Sequence, residues 1–438
     1  MLSNHNNFML INLSKLGRSV RFIFAIISFS LLIYIFYRSE IRWSGTKRDT
    51  YLIYYIISSI IFLFSIFAFY LNKKLSNYLL IILGSIFFTI YFFEGYLVYQ
   101  ENKILRKKQN TFGFDKRNLF EVYSDEKKNR DNVVVKIGPQ NYLKTKTNIF
   151  PLSGISNSKT INCNESGYYS FFLSDRYGFN NPDEEWDKKE IEYFLIGDSF
   201  TQGSCVNRPY DLSSILRQLS KKGVLNIGYG GNGPLIEYAA TREYLPNNVK
   251  KVLWIYYEGN DLRELSHELK SEILGKYIDD LNFSQNLKLK QVEINNLASI
   301  QLNATYESTS FSEIYKFIKL FKIRSLLFKE PEFVASEETV QKFKYILKLI
   351  NDLAKKNNFK LYFVYLPEYN RYIIKDYQSS YESIKNILNE LNISYVDIHK
   401  NIFEKEANPL KLFPFESFGH YTPEGYAKVA RIIYEKTK

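Results

Sequence analysis

The run Tyr193-Phe194-Leu195-Ile196-Gly197-Asp198-Ser199-Phe200-Thr201-Gln202-Gly203 decides how the rest of the chain is read. Four apolar or aromatic residues predict a buried strand, and the Gly-Asp-Ser after it predicts a sharp turn that presents a serine hydroxyl at the strand's C-terminal end. In an open α/β sheet, that end is where ligands bind. A serine acting there as a nucleophile needs a base and oxyanion donors from elsewhere in the chain.

From residue 191 onward, apolar runs alternate with amphipathic segments, the pattern of a parallel sheet covered by helices. Strands are expected at 193–196, 224–227, 251–257, 360–366 and 394–398. In 336–356 the residues Val340, Phe343, Ile346, Leu347, Ile350 and Leu353 fall on one helical stripe, and Thr422-Pro423-Glu424 reads as the N-cap and first turn of the last helix. Residues 279–329 lie outside this repeat and read as an insertion. Short strands are also expected at 133–137 and 168–173, with a turn-rich loop at 174–182 between the second of these and the main repeat.

Three more segments carry chemistry. Asn226-Ile227-Gly228-Tyr229-Gly230-Gly231-Asn232-Gly233-Pro234 follows the second expected strand, and its glycines let backbone N–H groups approach a ligand. Glu258-Gly259-Asn260-Asp261 follows the third and offers a side-chain amide. Phe418-Gly419-His420-Tyr421-Thr422 places an imidazole just before the last helix. Nucleophile, backbone donor, amide donor and base thus follow one another along the chain.

These blocks resemble those of the SGNH hydrolases, also called the GDSL family, over roughly residues 168–434. The resemblance implies a three-layer, flavodoxin-like α/β domain with about five parallel strands. It implies Ser199 as nucleophile, His420 as base, and an oxyanion hole of Ser199, Gly231 and Asn260, with Gly233 as the alternate glycine. The reaction implied is acyl transfer from an ester to water or to a sugar hydroxyl, on O-acyl groups of an envelope carbohydrate. Tyr369, Asn370 and Arg371, just after the fourth strand, lie on the edge that would meet substrate. Cys163 precedes the entrance loop and Cys205 lies six residues beyond Ser199, so a disulfide between them is expected to brace the nucleophile turn.

One position departs from the family pattern. Three residues before His420 the family has an aspartate, whereas this chain has Ser417, preceded by Glu416. Without a carboxylate on the far nitrogen, the imidazole's tautomer is less well fixed and the imidazolium less stabilised. Glu416 is the first candidate for that acid; a Ser199–His420 dyad and Asp397 are the others. The same departure motivates a competing reading, a catalytically silent binding or assembly protein of the cell envelope that keeps the fold.

The remaining composition bounds the setting. The 438 residues carry a formal charge of +12 with 45% hydrophobic residues, and the first hundred contain three charge-free runs at 22–37, 51–71 and 78–93. Length and apolarity predict three transmembrane helices. The expected organisation is a membrane anchor at 1–102, a polar linker and entry segment at 103–167, and a hydrolase domain at 168–438 with its insertion. That makes an integral protein of the bacterial inner membrane, with the lipid bilayer and envelope-biosynthesis proteins as partners. Charge asymmetry between the loops mildly favours a cytoplasmic C-terminal domain, but a lasting disulfide favours the outside, and the catalytic domain is expected to be periplasmic or extracellular. The lysines are dispersed without an arginine-rich or aromatic-interleaved patch, so no nucleic-acid surface is expected. Neither metal-ligand spacing nor a dinucleotide fingerprint occurs, so no metal and no cofactor is expected.

Overall fold

The computed structural model describes residues 22, 25–42, 45, 48–70, 73–109, 113–145, 147–309, 312–327 and 333–438. The chain divides into two compact units, 1–101 with 316–329, and 102–315 with 330–438.

Helix Arg48–Tyr70 and the part of helix Lys73–Gln109 up to Glu101 lie in the first unit and carry two of the three apolar runs, whereas the run at 22–37 lies partly outside the described residues. No helix among the described residues is long and apolar enough to cross a membrane. This overturns the three expected transmembrane helices and the integral-membrane localisation. Freedom from charge is a weaker property than apolarity: Arg48–Tyr70 is diluted by Tyr51, Tyr54, Tyr55, Ser58, Ser59 and Ser65. Glu94 is buried within Lys73–Gln109, where its carboxylate accepts from the N–H groups of Lys322 and Ile323, each at 2.9 Å, in the first turn of helix Phe321–Leu327. Residues 316–329, the end of the expected insertion, therefore belong to this unit.

The second unit holds two sheets. The smaller consists of β1 (Val133–Val135), β2 (Lys159–Ile161) and β3 (Phe171–Leu173), with β2 parallel to β1 and antiparallel to β3. The larger consists of β4 (Ile191–Gly197), β5 (Gly223–Asn226), β6 (Val249–Tyr257), β7 (Lys360–Leu366) and β8 (Ser394–Asp397). These five are all parallel, in the order β5-β4-β6-β7-β8. The order reverses beside β4, so its C-terminal end opens on the crevice where doubly wound sheets bind ligands.

Burial on both faces explains why these strands read as continuous apolar runs. Val252, Trp254 and Tyr256 of β6 pack with Phe343, Ile346 and Ile350 of helix Glu337–Asn357 on one face. Leu253, Ile255 and Tyr257 pack with Val429, Ala430 and Ile433 of helix Pro423–Thr437 on the other. Both helices begin on caps legible in the sequence: the Ser336 hydroxyl accepts from the Thr339 N–H, and the Thr422 hydroxyl from the Gly425 N–H.

Candidate active site

β4 ends at Gly197, and Asp198 caps the short turn of helix that begins at Ser199, its carboxylate accepting from the Phe200 N–H at 2.8 Å. The Ser199 hydroxyl lies 2.8 Å from His420 Nε2 and 3.3 Å from the Asp198 carboxylate. The shorter, better partner is the imidazole. The His420 ring packs on Phe200, centroids 4.8 Å apart, and Phe200 stacks in turn on Tyr257 at 4.0 Å.

The far side of the imidazole meets a carboxylate that the sequence did not point to. Glu165 Oε1 lies 3.0 Å from His420 Nδ1, and Oε2 accepts from the His420 backbone N–H at 2.6 Å. One carboxylate thus bridges ring and main chain of the same histidine. Gly419 makes this approach sterically possible, because a Cβ there would sit 2.7 Å from Glu165 Oε2. Burial works to raise the Glu165 carboxyl, but the His420 ring and backbone N–H, with the charge of Lys136 nearby, hold it below its usual value. Lys136 itself follows β1, with its ammonium 3.3 Å from Ser204 Oγ. Burial pushes that ammonium down to about 8, against the pull of Glu165 and Asp198.

Glu416 is placed elsewhere. Phe415 and Glu416 both take positive φ, 53° and 50°, and the resulting bend directs the Glu416 carboxylate to Asn408 Nδ2 at 3.3 Å. The Ser417 hydroxyl donates to the Phe415 carbonyl at 3.2 Å. Asp397 is likewise occupied, capping the Lys400 N–H at 3.0 Å and accepting from the Tyr381 hydroxyl.

The loop bearing Gly231 follows β5 and is fastened to the nucleophile turn. The Tyr229 N–H donates to the Gly197 carbonyl at 3.1 Å, and the Gly230 N–H to Gln202 Oε1 at 3.1 Å. Gly231 has φ +82°, a left-handed conformation that calls for glycine, and the Gln140 side-chain amide lies where a Cβ would sit. Beyond it, the buried Glu268 carboxylate accepts from the N–H groups of Gly233, Leu235 and Ile236 at 2.5, 2.9 and 3.3 Å. Glu268→Ala leaves three buried donors without their partner and is expected to cost at least ~3 kcal/mol, read from chemical denaturation.

Asn260 stands at the end of β6 as N-cap residue of helix Asp261–Glu268, and its side-chain oxygen is buried without a hydrogen-bond partner. It also lines a cleft of about 570 Å³ together with Glu258, Arg263, Glu368, Asn370 and Tyr377. Of the three substrate candidates after β7, Asn370 faces this cleft. Arg371 is instead held by Glu258, its Nε at 2.9 Å from Oε2, and the Tyr369 hydroxyl donates to the Glu416 carbonyl at 3.0 Å.

Cys163 and Cys205 are joined by a disulfide. The Cys205 sulfur lies 3.6 Å from His420 Nδ1, so Glu165, Cys205 and His420 form a cluster of metal-ligand types. With its sulfur committed to the disulfide, Cys205 offers no thiolate to a metal. The same bond holds the one sequence signal that leads to Glu165, which lies two residues after Cys163.

No protein-family model matches the chain, and no curated protein matches it. Solved structures similar to it include a lipolytic protein of the G-D-S-L family from Desulfitobacterium hafniense, 16% identical over 56% of this chain and 99% of that one, TM-score 0.31. Axe2, an acetylxylan esterase from Geobacillus stearothermophilus, is 14% identical over 57% of this chain and 94% of its own, TM-score 0.30. A lipase/acylhydrolase from Enterococcus faecalis is 11% identical over 56% and 94% of the two chains, TM-score 0.30.

Proposed function

We propose that the chain is a serine esterase that cleaves O-acyl esters with Ser199 as nucleophile, His420 as base and Glu165 as the acid behind it. The observation that carries this reading is the unbroken line from Ser199 Oγ to His420 Nε2 at 2.8 Å and from Nδ1 to Glu165 at 3.0 Å. Glu165 accepts from Nδ1–H, which fixes the tautomer and leaves Nε2 free to accept the serine proton.

Ser199 Oγ attacks the ester carbonyl as its proton passes to His420 Nε2, and Glu165 stabilises the imidazolium. The oxyanion is held by the N–H groups of Ser199 and Gly231 and by the Asn260 side-chain amide. Collapse breaks the C–O bond, and the leaving alcohol takes the proton from His420. Water, deprotonated by His420, then releases the acyl group. The cleft beside Asn260 offers amide, carboxylate and guanidinium groups from Asn370, Glu368 and Arg263. Those groups suit a hydroxyl-rich acylated carbohydrate as the alcohol portion of the ester.

Labelling by a fluorophosphonate tests the reading. Covalent label on the wild-type chain and none on Ser199→Ala supports it, and a folded wild-type chain that takes no Ser199-dependent label sinks it in favour of a silent binding protein. Asn260→Ala is expected to lower kcat on a short aryl ester by about a hundred- to a thousandfold, with KM little changed, because the lost hydrogen bond belongs to the transition state.

A further inference from the structure

Glu165 does not come from the large sheet. It lies at the tip of the hairpin between β2 and β3, whose stem closes on itself: the Asn162 N–H donates to the Ser170 carbonyl and the Ser170 N–H to the Cys163 carbonyl, both at 2.9 Å. The tip is folded as well, with the Gly167 N–H on Asn164 Oδ1 and the Asp115 N–H on the Gly167 carbonyl. None of these bonds reaches His420. The Glu165 carboxylate does, and beside it the disulfide joins Cys163, two residues before Glu165, to Cys205, six residues beyond Ser199, while the Phe171 N–H at the start of β3 donates to Asn207 Oδ1 at 2.8 Å. At its far end the disulfide presents the Cys205 sulfur to the imidazole at 3.6 Å from Nδ1, on the side where Glu165 acts. Cys205 also holds a left-handed backbone, φ +64°, a conformation uncommon in residues that carry a side chain.

Resting on the esterase reading above, we propose that the Cys163–Cys205 disulfide is the positioning device for the catalytic acid, and that turnover follows its redox state. In the oxidised protein it fixes the hairpin tip so that Glu165 meets Nδ1. A dithiol reductant passes two electrons and two protons to the bond, becomes a cyclic disulfide itself and leaves two thiols. The hairpin keeps its own hydrogen bonds and the Phe171–Asn207 bond, so the fold persists while the tip that bears Glu165 loses its covalent tether.

A displacement of the acid by about 1 Å is enough for a loss on the order of a hundredfold. The experiment measures kcat on a short aryl ester for the full chain before and after dithiol reduction, with the thiols counted by alkylation and mass analysis. The same assay is run on Cys163→Ser/Cys205→Ser, on Glu165→Gln, and on Glu165→Gln after reduction. Expected are a fall of about a hundredfold on reduction and in the double serine variant, recovery on reoxidation, and less than about a threefold further fall when the Glu165→Gln protein is reduced. A disulfide that merely stabilises the fold would cost the same factor with or without Glu165. Equal factors in the two backgrounds, or unchanged kcat once both thiols are alkylated, overturn the proposal. If the serine variant does not fold, the factor lost on reduction by wild-type protein, set against the factor lost on reduction by Glu165→Gln, decides the matter by itself. Oxidised wild-type protein with no Ser199-dependent turnover fails the esterase reading itself and is thereby told apart from failure of the redox proposal.

Discussion

Alanine at either Ser199 or His420 is expected to lower kcat by about a millionfold, and alanine at both to lower it no further than either one alone. The reason is the 2.8 Å contact between Ser199 Oγ and His420 Nε2. A serine hydroxyl is a weak nucleophile until its proton has somewhere to go, and the imidazole has no other task at the first step than to take it. Once one partner is gone the other has nothing to act on, so the losses do not add. What remains over the uncatalysed rate would come from the oxyanion donors and substrate positioning, roughly a thousand- to ten-thousandfold. Single-turnover assays on a short aryl ester measure all three variants. Additive losses would mean that Ser199 and His420 act independently, against the geometry proposed.

The parts of this site that the sequence discloses are those whose position is set locally. β4, β6 and β7 are buried on both faces, so their runs of Phe, Leu, Ile, Val and Tyr announce them within a residue or two of their ends. Ser199, Gly231 and Asn260 each lie just past such a strand, and His420 lies just before a helix with a Thr-Pro start; strand ends and caps place them without knowledge of the tertiary fold. Glu165 has no such local mark. It lies 34 residues before Ser199 and 255 before His420, in a polar stretch whose composition reads as a tether, and only the packing of the β2–β3 hairpin brings it to the imidazole. The local rule of an acid three residues before the histidine fails because Ser417 stands there, and the 414–416 bend carries the neighbouring Glu416 towards Asn408. β2, three residues long, escapes for a simpler reason: Lys159-Thr160-Ile161 is too short to show a period. The apolar runs near the N-terminus mislead in the opposite direction, since tyrosines and serines interrupt nothing in a count of charges yet lower the apolarity that spanning requires.

Glu165→Gln is expected to lower kcat by about ten-thousandfold while leaving KM within a few-fold, and Glu416→Gln to leave both within about twofold. A glutamine keeps the size of the carboxylate that bridges His420 Nδ1 and the His420 backbone N–H. With its oxygen on the backbone N–H, however, its NH₂ faces Nδ1 and favours the tautomer whose proton sits on Nε2, where the serine proton must go. The imidazolium formed during attack also loses its counter-charge. Since neither effect touches the ground-state ester, the loss belongs in kcat. The same substitution has a signature in stability. Glu165 is held below its ordinary value in the folded chain, so its ionised form contributes stability above the unfolded carboxyl's range, and that contribution is lost as pH falls through the folded value. The unfolded chain binds more protons across this interval, so wild-type stability falls there with falling pH. Glu165→Gln removes the titrating group, and its denaturation midpoint should fall less steeply than the wild type's below about pH 4.5. Parallel acid limbs in the two proteins, together with an unchanged kcat, would place the acid elsewhere; a flatter limb with kcat reduced ten-thousandfold is what a carboxylate paired to the catalytic imidazole requires.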